Sequence, residues 1–488
     1  MSRDRLPSFI GGRAVPSRGD RYMPDRNPSD PADVIADAPA GNPEDAAAAT
    51  AAAADALAAW RAATGPARAE HLYRWAAAIA ARQEDLAQAM TREVGKPITE
   101  ARGEAARAVA ILRYYAGEAV RAVGEVIPAQ VAGALQFTLR QPLGVVALIT
   151  PWNFPAAIPL WKAAPALAFG NTVVLKPSED APHTATLLAE TAAAAALPAG
   201  VFNVVLGDGP SVGEPLLSDP QVAAISFTGS AAVGARVAAR AAARNVRYQT
   251  EMGGKNVAIV MADADLDLAA ALTAGGAMRF AGQKCTATSR VVVARQVLEP
   301  FLARLRSQVE ALPLGPVTDP AAAVGPLIDE EARQRVRQAV AAAVGSAARL
   351  VCGAAGDGAP ADPRLTRGLF FTPTVLADVP DDAAAARDEL FGPVLAAFSA
   401  DDLEHAIALA NRTPYGLSAS LFTRDLGSAL TYIRRIEAGL VRVNGDTTGV
   451  DPHAPFGGLK GSSSGSREQG SAAREFYTEI KTVQINPS

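Results

Sequence analysis

The sequence predicts an α/β protein of more than one domain, and three observations carry that reading. An Ala-rich stretch from Pro43 to Arg121 has apolar residues at helical spacing. After Gly144, short apolar runs alternate with Ala-rich helical segments. The same alternation resumes after Gly253. Strand, helix, strand in strict succession is the pattern of parallel sheets covered by crossover helices. At 488 residues the chain is too long for one compact core, and two or three domains are expected.

Taken in order, the segment HLYRWAAAIAARQEDLAQAM within 71–90 reads as amphipathic helix, its low complexity reflecting alanine's helix propensity. The segment 126–143 alternates like an exposed hairpin. GVVALIT, NTVVLKP, VFNVVLG and VAAISFTG are strands, each followed by a helical stretch. The apolar region 142–170 holds Lys162 and prolines at 142, 151, 155, 159 and 165, so it reads as buried turns and strands near a site rather than a membrane helix. Beyond Gly253, VAIVM, SRVVVA, a helix near 296–311, FTPTVL, VLAAFS and LVRVNG build a second α/β unit. The tail REFYTEIKTVQI, residues 474–485, ends as a strand that could pair with 126–143 in a protruding oligomerisation sheet.

Composition excludes several function classes. Hydrophobic residues at 49% and charged residues at 20% suit a chain that buries a large core, not a disordered one. A net charge of −4 with scattered Lys and Arg leaves no basic footprint for nucleic acid. Two cysteines cannot form a disulfide framework and fit a reducing compartment, so a cytoplasmic location is expected. The N-terminus has charges with no apolar stretch behind them and does not read as a secretory signal. His71, His183, His405 and His453 share no ligand spacing, and no metal site is expected.

Candidate functional residues cluster at strand ends. VAAISFTGS runs into the helix AAVGARVAARAAA, where Gly229 lets the backbone turn and a helix N-terminus offers amides to a pyrophosphate, with Ser230 adding a hydroxyl. Such a G-S-x-x-x-G turn also occurs for purely structural reasons. In NTVVLKPSE, Lys176 and Glu179 leave a strand end, where α/β sheets bind ligands, and could donate to and accept from ribose hydroxyls. Cys285 in AGQKCTATSR is a candidate nucleophile. No histidine is placed to serve it, but Glu251 in QTEMGGKN is a carboxylate with neighbouring glycines that permit close approach.

Together these residues resemble the aldehyde dehydrogenase superfamily. The matching motifs are TPWNFP at 150–155, KPSE at 176–179, FTGS at 227–230, EMGGKN at 251–256, GQKC at 282–285, ELFGPV at 389–394, VNG at 443–445 and PFGGLKGS at 455–462. Their order follows the family from end to end. The resemblance implies a Rossmann-like cofactor domain (1–122 and 143–252), an α/β catalytic domain (253–453) and a β oligomerisation arm (123–142 and 470–488) in a homodimer or homotetramer. It implies NAD as cofactor, with NADP also accommodated, and a small aldehyde as substrate.

Position by position, the resemblance makes Cys285 the nucleophile that forms a thiohemiacetal. Asn153, with the Cys285 backbone N–H, would be the oxyanion donor. Glu251 would be the base that hydrolyses the thioester, and Lys162 with Glu468 a proton-relay pair. Lys176 and Glu179 match adenine-ribose contacts, Gly229 and Ser230 the pyrophosphate turn, Trp152 a wall of the cofactor cleft, and Glu389 with Phe391 the nicotinamide-ribose side. Relatives that pass the acyl group to coenzyme A do without the base, so the presence of Glu251 implies a free acid product. The C-terminal stretch from GVDPHAPFGG onward resembles the 2,5-dioxovalerate (α-ketoglutarate semialdehyde) dehydrogenases. Arg279 stands where succinate-semialdehyde dehydrogenases carry an arginine for the substrate carboxylate, whereas their second arginine is Trp161 here, a departure that argues against succinate semialdehyde itself. Arg279 and Trp161 are thus the candidate substrate-binding residues, Arg279 either facing a buried pocket or pairing with a structural carboxylate, and an anionic semialdehyde is the substrate expectation. Neutral aliphatic or aromatic aldehydes, or a non-catalytic binding or structural role, are the alternatives.

Overall fold

The computed structural model describes residues 4–121, 123–354 and 358–487. The reading of residues 1–3 and the domain limits at 122 and 488 lie outside these. The Ala-rich stretch forms four helices, Pro43–Ala62, Gly65–Ala81, Gln83–Val94 and Ile98–Glu118. Asn42 and Thr64 cap the first two, each accepting a backbone N–H of the first turn, with proline in that turn where an N–H would lack a partner anyway. Alanine on the inward faces lets these helices pack closely on the first sheet, burying Trp60, Leu72, Trp75, Tyr115 and Phe202 in one core.

That sheet has eight strands. Its five parallel members, Val145–Ile149, Thr172–Lys176, Phe202–Val204, Val222–Thr228 and Arg247–Glu251, stand in the spatial order third, second, first, fourth, fifth. The order reverses beside Val145–Ile149, and such a switch point leaves a crevice at the carboxyl ends of the strands. Strands buried on both faces read as continuous apolar runs, which is why VVALI and TVVLK were legible. Arg247–Glu251, with the sequence RYQTE, has no such run and was missed.

The chain crosses at 252–256 into a seven-stranded sheet ordered Arg349–Cys352, Thr374–Ala377, Val394–Ala400, Arg290–Ala294, Val257–Val260, Ser418–Phe422 and Leu440–Val443. All its pairings are parallel except that of the Arg349–Cys352 edge strand. It carries its own apolar cores on its two faces.

Two expectations need correction. Region 142–170 is not turns and strands throughout, because Ala157–Ala168 is a fully buried α-helix. Pro159 falls in its first turn, where no hydrogen bond is lost, and only Pro165 interrupts the interior, its neighbours being apolar side chains that pack on all sides. The chain also returns to the first sheet after the second is complete: Ser463–Ser464 pairs antiparallel with Arg247–Glu251. The segment between 453 and 470 thus bridges the two sheets, Leu459–Lys460 pairing with Tyr415–Gly416 and Ser463–Ser464 with the first sheet. Thr478–Ile485 pairs along its whole length with Leu135–Pro142, Thr478 opposite Pro142 and Ile485 opposite Leu135. Val126, Leu135, Leu139, Ile480 and Ile485 of this three-stranded sheet are exposed.

Candidate active site

Two adjoining cavities occupy the switch-point crevice. The outer one, about 380 Å³, is lined by Trp152, Lys176, Glu179, Gly213, Gly229 and Ser230 among others. Lys176 ends its strand and donates to the Pro177 carbonyl at 2.7 Å and to Glu179 at 3.3 Å, so the two expected ribose contacts already sit together. Ser230 caps the Ala231–Ala243 helix, accepting from Val233 N–H. The buried hydroxyls of Thr150 and Thr228 have no partner within the protein. Both residues line this space, so the crevice offers unmet polar groups together with a helix N-terminus, which fits a nucleotide diphosphate.

The inner cavity, about 320 Å³, shares Trp152, Thr228, Gly229 and Ser230 with the outer one and adds Asn153, Ile158, Cys285, Glu389 and Phe391. Trp152 meets the ring of Phe391 edge-on at 5.7 Å and forms the wall between the two. Cys285 follows a backbone that bends sharply through Phe280 and Ala281, both at positive φ, before entering the second sheet at Arg290. Asn256 fixes the turn by donating to the carbonyls of Cys285 and Ala287 at 2.8 Å. The Asn153 amide nitrogen donates to Gln283 O at 3.0 Å, and this one contact leaves its second N–H available beside the thiol.

Burial, with the nearby charges of Glu389 and Glu251, pushes the Cys285 thiol up to about 12. At neutral pH the group is therefore a thiol at rest. Alkylation of Cys285 by iodoacetamide in the cofactor-free protein should rise about tenfold per pH unit from pH 7 to 9 without levelling. A plateau at or below pH 8, followed by peptide mass spectrometry, would contradict this environment.

Glu251, at the end of its strand, is buried, and one oxygen accepts from Ser463 Oγ at 2.5 Å while the other has no partner. Burial first and the charge of Glu468 second push its pKa well above the ordinary carboxylate range, offset in part by Ser463, Lys162 and Arg467. Lys162 is fully buried, pairs with Glu468 and donates to Ser226 Oγ at 2.8 Å. Lys162, Glu468 and Ser226 thus form one buried hydrogen-bonded cluster, with Glu251 close enough to feel the charges of Lys162 and Glu468.

The structure changes the reason for several sequence readings. Gly229 is not at positive φ, since a side chain there would instead strike the Phe227 ring at 2.6 Å. The glycines after Glu251 make room for Glu389 rather than for Glu251: a Cβ on Gly253 would overlap the Glu389 carboxylate, and Gly254 N–H donates to it at 3.1 Å. The room beside Glu251 comes from Gly457, whose added Cβ would lie 2.9 Å from a carboxylate oxygen. Arg279 does not face a buried pocket. It is exposed at the end of the Leu266–Met278 helix, because the left-handed turn that follows sends Phe280 inward in its place. Trp161 is buried, with its indole N–H donating to Glu468 at 2.8 Å and its ring against Phe456.

Sequence reasoning passed over a buried pair that positions the site. Lys96 and Glu104 are both buried and bonded to one another, and Lys96 also donates to the Asn153 carbonyl at 2.7 Å. Glu104 accepts the N–H groups of Ala156 and Ala157 at 3.0 Å. Along an Ala-rich helix, Glu104 looks like any solvent-facing charge, and the one available signal was the lysine in GKP just before the helix. Lys255, within EMGGKN, is also buried, and desolvation pulls its pKa down to about 7.

A switch-point crevice on one parallel sheet, opening onto a cysteine presented by a second, is the arrangement of a nicotinamide-dependent oxidoreductase. The chain belongs to the aldehyde dehydrogenase family, whose model matches residues 15–483. It is 43% identical over 480 residues to an alpha-ketoglutaric semialdehyde dehydrogenase of Bacillus subtilis, covering 98% of both chains. It is 39% identical to a succinate-semialdehyde dehydrogenase [NADP(+)] of Escherichia coli, covering 99% of this chain and 98% of that one. Among solved structures, an NAD-dependent aldehyde dehydrogenase from Sinorhizobium meliloti superposes with a TM-score of 0.95 at 36% identity, over 100% of this chain and 96% of that one. A betaine aldehyde dehydrogenase from Staphylococcus aureus in complex with NAD+ also gives 0.95, at 32% identity, over 99% of this chain and 96% of the other.

Proposed function

We propose that this enzyme oxidises a short anionic semialdehyde, with 2,5-dioxovalerate as the leading candidate, to the free acid through Cys285. The observation that carries the chemistry is one cavity holding Cys285, Asn153 and Glu389 that opens into the Thr228–Ser230 crevice. The similarity to enzymes named for α-ketoglutarate semialdehyde supports the substrate. In this reading the Cys285 S–H gives up its proton to solvent in the open cavity and the sulfur bonds the aldehyde carbon, the free Asn153 N–H and the Cys285 backbone N–H holding the oxyanion; the carbon then loses its hydride as the oxyanion collapses to the thioester carbonyl. Bound in the crevice, nicotinamide supplies the hydride acceptor. Water then attacks the thioester, Glu251 takes its proton, and the carbon–sulfur bond breaks. Burial raises the Glu251 pKa and so strengthens it as a base toward water, and the nearby Lys162–Glu468 pair is the route offered for the proton to leave. Trp152, Lys176, Glu179, Gly229 and Ser230 would hold the nucleotide, with Glu389 and Phe391 at its nicotinamide end.

Steady-state kinetics over aldehydes with and without a terminal carboxylate, each with NAD and NADP, test the assignment. Higher kcat/KM for 2,5-dioxovalerate than for pentanal is expected, and the reverse order would reject the anionic substrate. Cofactor choice follows from Glu179, which can accept from ribose hydroxyls and would repel a 2′-phosphate. NAD should be preferred, and Glu179→Ala should narrow the gap. A higher kcat/KM with NADP in the unaltered enzyme would overturn this.

The remaining parts of the reading concern organisation. The division into a cofactor region (1–122 and 143–252), a catalytic region (253–453) and an arm (123–142 and 470–488) is supported by the presence of two separate parallel sheets and the three-stranded sheet. The exposed apolar residues of the arm suit self-association into a dimer or tetramer. No helix among the described residues is long and apolar enough to cross a membrane. Two free thiols fit a reducing, cytoplasmic setting.

A further inference from the structure

The structure holds a half-buried arginine beside Trp161 that the motifs did not single out. Arg107 lies on the inner side of the Ile98–Glu118 helix, one turn beyond Glu104. Its guanidinium carbon sits 5.9 Å from the centre of the Trp161 ring. One nitrogen donates to Gln469 Oε1 at 3.3 Å, while the buried Nε has no partner. Glu104, the carboxylate nearest along the helix, is fully engaged by Lys96 and by the Ala156 and Ala157 N–H groups. Gln469 is itself buried, at φ 57, and its side-chain NH2 also lacks an acceptor. Two neighbouring N–H donors are therefore held out of water without an acceptor, an arrangement that costs stability unless a ligand completes it.

The line from these donors to the thiol runs along one helix. Ile158 is on the wall of the Cys285 cavity, and Trp161 lies one turn further along the Ala157–Ala168 helix, a rise of about 5 Å. The Arg107 guanidinium lies over the Trp161 ring. A substrate bonded to Cys285 and extended along this helix past Ile158 and Trp161 would bring its far end toward Arg107. A planar guanidinium with free N–H groups matches a carboxylate, and a second donor alongside matches a neighbouring carbonyl oxygen.

We propose that Arg107 and Gln469 form the recognition site for the distal carboxylate of the substrate, Gln469 serving the adjacent 2-oxo group where one is present. This assignment rests on the anionic-semialdehyde reading above and gives to Arg107 the task that the motifs suggested for Arg279. It selects short ω-oxo acids over neutral aldehydes of equal length.

The test compares 2,5-dioxovalerate, succinate semialdehyde and pentanal in the unaltered enzyme, Arg107→Met, Arg107→Lys and Arg279→Leu. Arg107→Met should lower kcat/KM for the two acids by about ten- to a hundredfold, mainly through KM, and leave pentanal unchanged or improved. Arg107→Lys, which keeps the charge and loses the fork, should fall between. 2-Oxoglutarate should shield Cys285 from iodoacetamide in the unaltered enzyme and fail to do so in Arg107→Met, a readout independent of turnover. Equal losses for acids and pentanal would assign Arg107 to the fold and overturn the proposal. So would a selective loss in Arg279→Leu with Arg107→Met unaffected. If Arg107→Met does not fold, Arg107→Lys with the KM of pentanal unaltered decides the matter: an unchanged KM for the acids overturns the proposal. Should the unaltered enzyme prefer pentanal, the anionic-substrate reading fails first, a result distinct from a preference for acids that survives the loss of Arg107.

Discussion

Cys285→Ala is expected to abolish NADH formation, and Glu251→Gln to let acyl-enzyme accumulate while steady turnover collapses. The two outcomes separate because the two groups serve different half-reactions. Without the sulfur no covalent adduct forms, and hydride has no thiohemiacetal to leave. Without a carboxylate at 251, the thioester can still form but the attacking water has no base. Glutamine is close in shape and can keep the contact with Ser463 Oγ, so the fold is preserved. Neutralisation is also mild here, since burial already favours the uncharged acid. Rapid-quench kinetics should show a burst of NADH near one equivalent, and mass spectrometry should find the acyl group on Cys285. Normal turnover in Glu251→Gln would remove Glu251 from the mechanism, and full activity in Cys285→Ala would remove the thioester altogether.

Glu104→Ala should be the most destabilising single change near the site, by about 3 to 5 kcal/mol, as for a buried pair broken on one side. The substitution strands the Lys96 ammonium in a fully buried position against the faces of Phe154 and Phe280, and it removes the acceptor from the Ala156 and Ala157 N–H groups. Because Lys96 holds the Asn153 carbonyl, the loop bearing the oxyanion donor loosens as well, so activity should fall with stability. Glu104→Gln keeps a neutral acceptor for the two N–H groups and should cost less. Pairing Glu104→Leu with Lys96→Met removes the stranded charge and should recover part of the loss. Denaturant midpoints measure all three, and a shift below about 1 kcal/mol in Glu104→Ala would show that the pair is not supporting the loop.

Much of this molecule is legible in its sequence because the features concerned are local. Parallel strands buried on both faces leave runs such as VVALI and VAIV, and their alternation with helices dictates two wound sheets. Cys285, Asn153 and Ser230 lie in turns and Lys176 at a strand end, positions whose composition marks them, and the structure brings Cys285 and Asn153 to one cavity and Lys176 and Ser230 to the adjoining one. The pairing of 135–142 with 478–485 was also open to pattern reading, since both segments alternate.

What only the tertiary structure decided is the direction in which side chains point and what they meet across long separations in sequence. Arg279 and Phe280 are adjacent, yet a positive-φ turn puts the ring inside and the charge outside, which no periodicity announces. Trp161 acquires its partner 307 positions away in Glu468, and Arg107 its neighbour 362 positions away in Gln469. Glu251 reads as a carboxylate beside glycines, but its raised pKa comes from burial and from Glu468, which the chain delivers only after completing the second sheet. Sequence determines local conformation and burial pattern through short-range sterics and hydrophobic period. The protonation and pairing of a buried group depend on the dielectric and charges that the assembled fold places around it, and those are fixed only when distant segments pack together.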